Sequence, residues 1–174
     1  GLIRPRLTVV DGKVPLVRVD MGEPRLTRGE IPMTGDAAAP AQGVAVALPA
    51  LTYTATCVSM GNPHCVIFVD EITDEMVLGH GPLIERHDLF PRKTNVEFAQ
   101  VLGPDAVRMR VWERGAGETM ACGTGACATG VSAILGGHCG RALTVHLLGG
   151  DLQIEWSEAD NHLYMTGPAA EVCE

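Results

Sequence analysis

The chain has 174 residues, enough for one domain with a substantial core, and is 46% hydrophobic but only 4% aromatic, so that core must be chiefly aliphatic. A net charge of −8 argues against nucleic-acid binding, which would call for a basic stripe, while charged small molecules stay open because a site's local field can oppose the overall charge. No apolar run approaches membrane-spanning length and no signal peptide is evident, which sets the expectation of a soluble, cytoplasmic protein.

Taken in chain order, residues 1–14 read as a linker and 15–21 as a first strand. Residues 34–42, rich in alanine and flanked by prolines, read as a loop, and alternating or short apolar runs predict strands at 43–49, 51–59 and 64–69. A helix is expected over 76–85, broken around Gly79-His80-Gly81-Pro82, where glycine and proline are unfavourable. Strands follow at 94–101 and 106–113, the second alternating apolar and basic residues. Residues 123–135 predict a helix with Gly136-Gly137 as its stop, and its small side chains require close approach by surrounding strands. Strands at 142–148 and 151–156 are joined by Gly149-Gly150, a hairpin signal. A strand at 162–166 and a closing segment at 167–174 complete an α+β pattern without repeats.

The six cysteines stand at 57, 65, 122, 127, 139 and 173, with no Cys-x-x-Cys pair, so reduced thiols are expected and no metal site. Cys122 differs from the others. It follows Glu113-Arg114-Gly115-Ala116-Gly117-Glu118-Thr119-Met120-Ala121 and opens the 123–135 helix through Gly123-Thr124-Gly125. A thiol there sits in the positive end of the helix dipole, which is expected to lower its pKa, and the N–H groups of Gly123, Thr124 and Gly125 suit a carboxylate. A reactive thiol beside a carboxylate cradle points to chemistry on the carbon that bears the carboxylate.

The 113–126 segment resembles the second cysteine motif of the diaminopimelate epimerase family. Ser59-Met60-Gly61-Asn62-Pro63-His64-Cys65-Val66-Ile67-Phe68-Val69 and Lys93-Thr94-Asn95-Val96-Glu97-Phe98-Ala99 are similar to two further blocks of that family, in the family's order. So are Val17-Arg18-Val19-Asp20-Met21-Gly22-Glu23-Pro24 and Met165-Thr166-Gly167-Pro168-Ala169. The likeness covers nearly the whole chain. It implies an α+β fold, a curved mixed or antiparallel sheet rolled around a central helix, over residues 15–166. On that division 1–14 is the remnant of a first domain and 167–174 a C-terminal strand, and the family's first-domain cysteine motif, Asn-Gly followed by Cys, is not found.

The resemblance also implies the reaction: cofactor-independent inversion of an α-carbon, LL- to meso-diaminopimelate, by two opposed thiols. Pyridoxal phosphate is not expected, since it needs a Schiff-base lysine and the only lysines are Lys13 and Lys93. Cys122 would be one base, with His64 and Glu113 close to the reacting centre. Gly123 and Thr124 would hold the reacting carboxylate, Asn62 and Asn95 the distant amino-acid head, Arg114 its carboxylate and Glu113 an ammonium group. The opposing base is expected from a missing first domain or from a second copy of the chain. Cys127, five positions along the same helix, and Cys65, pointing away from His64, are not convincing partners. A proline racemase-like isomerase and a non-catalytic carboxylate-binding module are the alternatives.

Overall fold

The computed structural model describes residues 5–10 and 13–168. Its strands, in chain order, are β1 (Pro5–Val10), β2 (Lys13–Gly22), β3 (Val44–Ala47), β4 (Thr52–Ser59), β5 (Pro63–Phe68), β6 (Asn95–Gly103), β7 (Ala106–Glu113), β8 (Gly117–Thr119), β9 (Ala142–Leu147), β10 (Gly150–Trp156) and β11 (Leu163–Pro168). A π-helical turn over Glu75–His80 runs into the short helix α1 (Gly81–Glu85), and α2 spans Gly123–Leu135. β1 falls within the residues expected as a linker, β8 within a turn, and 169–174 of the expected C-terminal strand lie outside the described residues.

All the described strands belong to one mixed sheet in the order β1-β2-β11-β10-β9-β7-β6-β5-β4-β3, with β8 paired to β7 alone. The β5–β6 and β7–β9 pairs are parallel, and the others are antiparallel. Gly150, at φ 135°, turns the β9–β10 hairpin where an L side chain would be strained. The Gly-Pro pair expected to break the first helix instead marks its change of type. Pro82 sits in the first turn of α1, where its missing N–H leaves no helical bond unmade, and Gly81 presses on Trp112.

The sheet curls around α2, as the resemblance implied. Residues 125–133 of that helix are all buried, and they pack with Val58, Val66, Val107, Met109, Val111, Leu143, Val145 and Ile154. Alanines and glycines bury little area each, so the strand side chains supply most of this core, at roughly 1.5–3 kcal/mol per fully buried Val or Ile. The other face of β4–β6 is covered too. Cys57, Cys65, Ile67, Val96 and Phe98 meet Ile31, Val77, Ile84 and Phe90, which come from the loop before β3 and the helical segment before β6.

Period-2 alternation therefore sorts the residues of β5 and β6 cleanly. Cys65, Ile67, Val96 and Phe98 belong to the outer core, whereas Val66 and Ala99 face α2. His64, Asn95 and Glu97 share the α2 side. No helix among the described residues is long and apolar enough to cross a membrane.

Candidate active site

Three strand ends and one helix start converge. His64 and Asn95 are register partners near the starts of the parallel strands β5 and β6, and Glu113 ends the antiparallel β7. At the same end α2 begins, with Cys122 as its N-cap in extended backbone (φ −138°, ψ 105°). The cap is a sulfur where an oxygen is usual: the Gly125 N–H donates to Cys122 Sγ at 3.3 Å. Gly125 is thus bonded to the thiol, leaving Gly123 and Thr124 as the first-turn donors without partners inside the helix.

Cys122 is 8% exposed, so the residue is largely buried. Burial pushes its pKa up, Thr124 and Gly125 pull it down through their hydrogen bonds, and the Glu97 and Glu113 carboxylates push it up further. The net direction is upward, which corrects the expectation of a helix-activated thiolate. Desolvation and two neighbouring carboxylates outweigh the hydrogen bonds from Thr124 and Gly125. Cys127, fully inside the core, is pushed to about 12.

From the thiol a chain of polar contacts runs inward. Cys122 Sγ lies 3.6 Å from Thr124 Oγ1, which accepts from Asn62 Nδ2 at 3.2 Å. Asn62 Oδ1 lies 3.1 Å from His64 Nε2, and His64 Nδ1 lies 2.6 Å from Glu97 Oε1. His64 and Glu97 are both fully buried. His64, expected beside the reacting centre, is therefore reached from the thiol through Thr124 and Asn62 rather than directly. Burial pushes the Glu97 carboxyl up, although His64 opposes the shift. Its second oxygen, Oε2, has no hydrogen-bond partner among the described residues.

The turn after β7 is held from behind. Asn95, 4% exposed, donates to the Pro63 carbonyl at 2.9 Å and accepts from the Arg114 N–H at 2.8 Å. Glu85, buried at the end of α1, accepts from Trp112 Nε1 at 2.8 Å and from the Gly115 N–H at 3.1 Å. Thr119 Oγ1 donates to Glu113 Oε1 at 2.5 Å, which fixes that carboxylate beside the thiol's surroundings. Arg114 extends outward, donating to the Arg92 carbonyl at 3.0 Å. With Arg25, Arg92, Ser59 and Gly61 it lines a cavity of about 270 Å³, whose lining also includes Glu30.

Cys122, Thr124, Asn62 and His64 are thus in one contact chain, with Glu113 bordering it and Gly123 beside Met165. Asn95 serves the backbone of the turn, and Arg114 faces the basic cavity. Glu85, Glu97, Arg25 and Arg92 were not foreseen. For Glu97 a signal existed: it sits two residues after Asn95 in an apolar strand, and so must share its face. Among the described residues no group of three or more His, Cys, Asp or Glu could hold a metal ion.

Comparison with known proteins agrees with these blocks. Residues 56–172 match the family described as diaminopimelate epimerase. The diaminopimelate epimerase of Moorella thermoacetica is 59% identical over 172 residues, covering 99% of this chain and 61% of that protein. That of Pelotomaculum thermopropionicum is 58% identical over the same shares. The chain accordingly spans about three-fifths of the length of these relatives. Among solved structures, a probable proline racemase from Agrobacterium radiobacter with bound carbonate superposes with a TM-score of 0.70 at 15% identity, covering 99% of this chain and 58% of that one. A hydroxyproline epimerase from Agrobacterium vitis with bound trans-4-hydroxy-L-proline gives 0.71 at 14% identity, covering 97% and 54%. At such identities these two show the fold alone.

Proposed function

Since the chain belongs to the diaminopimelate epimerase family, we propose that it supplies one of the two thiols that convert LL- to meso-diaminopimelate, in the cytoplasm, for lysine and peptidoglycan precursor synthesis. The observation that carries this is Cys122 at the cap of α2, bordered by first-turn N–H groups and by Glu113. The reacting α-carbon carries a carboxylate and an ammonium group. Gly123 and Thr124 donate to the carboxylate, Glu113 faces the ammonium, and Cys122 then lies against one face of the carbon. Negative charge that develops on proton loss is drawn towards the helix start.

Inversion needs a proton taken from one face and another returned to the opposite face. A thiol pushed up by burial enters protonated, so Cys122 gives its proton to the carbanion formed when an opposing base has removed the first. In the reverse direction the roles exchange. The opposing thiol comes from the part of its relatives' length that this chain does not span. Arg114, supported by Arg25 and Arg92 around the basic cavity, takes the distal carboxylate, for which guanidinium geometry is well suited.

Cys122→Ser tests the assignment. With the chain joined to the remaining part of the Moorella relative, meso-diaminopimelate should form, and the variant should lower kcat by at least about 10²-fold, the range for loss of a positioned acid–base group. Undiminished turnover in the variant would overturn it.

A further inference from the structure

Glu97 is a buried carboxylate with one oxygen bonded to His64 and the other without a partner. An ionisable group in that condition is costly, and it stands in a strand whose neighbouring inward positions are otherwise apolar or amide. Its location relative to the thiol is set by Gly125. A methyl group built on that glycine would fall 2.8 Å from Glu97 Oε1 and 3.2 Å from Cys122 Sγ, so carboxylate and thiol border the same small space. The contacts Cys122–Thr124–Asn62–His64–Glu97 then close into a ring through Gly125, whose N–H caps the sulfur.

We propose that Glu97 is a positioning residue for Cys122, holding His64, Asn62 and Thr124 in register with the thiol and setting the charge beside it. The inference rests on the reading of Cys122 as a proton-transferring thiol and deepens it. The titratable groups facing Cys122 are Glu97 from β6, Glu113 from β7, His64 from β5 through Asn62, and Cys127 from α2 itself. Of the two carboxylates, Glu97 acts more strongly on the thiol. Its charge opposes thiolate formation, and this keeps Cys122 in the acid form that the opposing base requires of its partner.

The test is the pH profile of Cys122 alkylation by iodoacetamide in the folded chain, read by peptide mass spectrometry to separate it from the other cysteines. Glu97→Gln keeps the shape and an oxygen acceptor for His64 while removing the charge. It should lower the midpoint by about one unit, a tenfold gain in thiolate at neutral pH. The alkylation rate should rise only about threefold, because a less basic thiolate is a weaker nucleophile. Glu97→Asp, which keeps a charge, should stay nearer the parent, and Glu118→Gln, at a half-buried ion pair with Arg110, should leave the profile in place.

A folded Glu97→Gln chain with an unshifted profile overturns the proposal, as does an equal shift in Glu118→Gln. Should Glu97→Gln fail to fold, His64→Gln decides: it breaks the bond that fixes the Glu97 carboxyl and should move the midpoint of Cys122, and an unshifted profile overturns the proposal. Alkylation needs no substrate. A chain that shows the shift but never epimerises, even when joined to the remaining part of the Moorella relative, would refute the proposed function and leave the role of Glu97 standing.

Discussion

Gly125 occupies a position where no side chain fits without cost. Its neighbours at the missing Cβ are Glu97 Oε1 and the Cys122 side chain, and the Glu97 carboxylate is fixed by a 2.6 Å bond to a buried histidine. Gly125→Ala gains about 1 kcal/mol of helix propensity but must move the carboxylate or the thiol, with overpacking typically costing about 1–3 kcal/mol. The two effects nearly cancel in stability. The expected outcome is thus a melting temperature close to the parent's with a much altered Cys122 alkylation rate, measured on the same sample. The site was partly legible at this scale. Cys122, Asn62 and His64 were visible because unusual residue types cluster in short blocks. The burial of Glu97 was not, since it depends on His64, a partner 33 positions away that only the parallel β5–β6 pairing brings beside it.

At the scale of elements, α2 is a helix of small residues that is stable only because strands close on it. Gly130 shows how tightly: a Cβ there would lie 2.8 Å from Ile154 Cγ2 and 3.3 Å from Ile154 Cβ. Ile154 is buried and β-branched, so it cannot swing away without leaving its rotamer. Gly130→Ala therefore loses more to overpacking than it gains in propensity, a net cost of about 1 kcal/mol. For a domain of this size thermal denaturation should shift down by about 2–4 °C, while an unchanged or higher midpoint would contradict this packing. Most elements could be read from alternation and glycine punctuation, including α2 and the β9–β10 hairpin. β8 could not, because three residues inside a glycine-rich turn carry no periodicity and pair only through contact with β7. The pairing order of the sheet was likewise hidden, since β7 and β9 are joined in parallel across α2.

At the scale of the molecule, the sheet presents Cys122 at one end of a rolled core, on one side of whatever carbon binds there. Among the described residues the other cysteines are poor candidates for the opposite face. Cys127 lies inside the α2 core, Cys139 follows the opposite end of α2 and donates to the Gly103 carbonyl at 3.5 Å, and Cys57 and Cys65 lie on the far side of the sheet. The two-thiol account thus calls for a thiol from outside a single copy of this chain, and the part of its relatives' length that it does not span is the source proposed above. Its central claim is opposed proton transfer, and heavy water tests it most directly. LL-diaminopimelate would be incubated in deuterium oxide with the chain joined to the remaining part of the Moorella relative. Early in the reaction, the account predicts deuterium at the inverted carbon of the meso product and none in the recovered LL substrate, since each thiol serves its own face. Equal labelling of both isomers, or labelling that persists in Cys122→Ser, would contradict it.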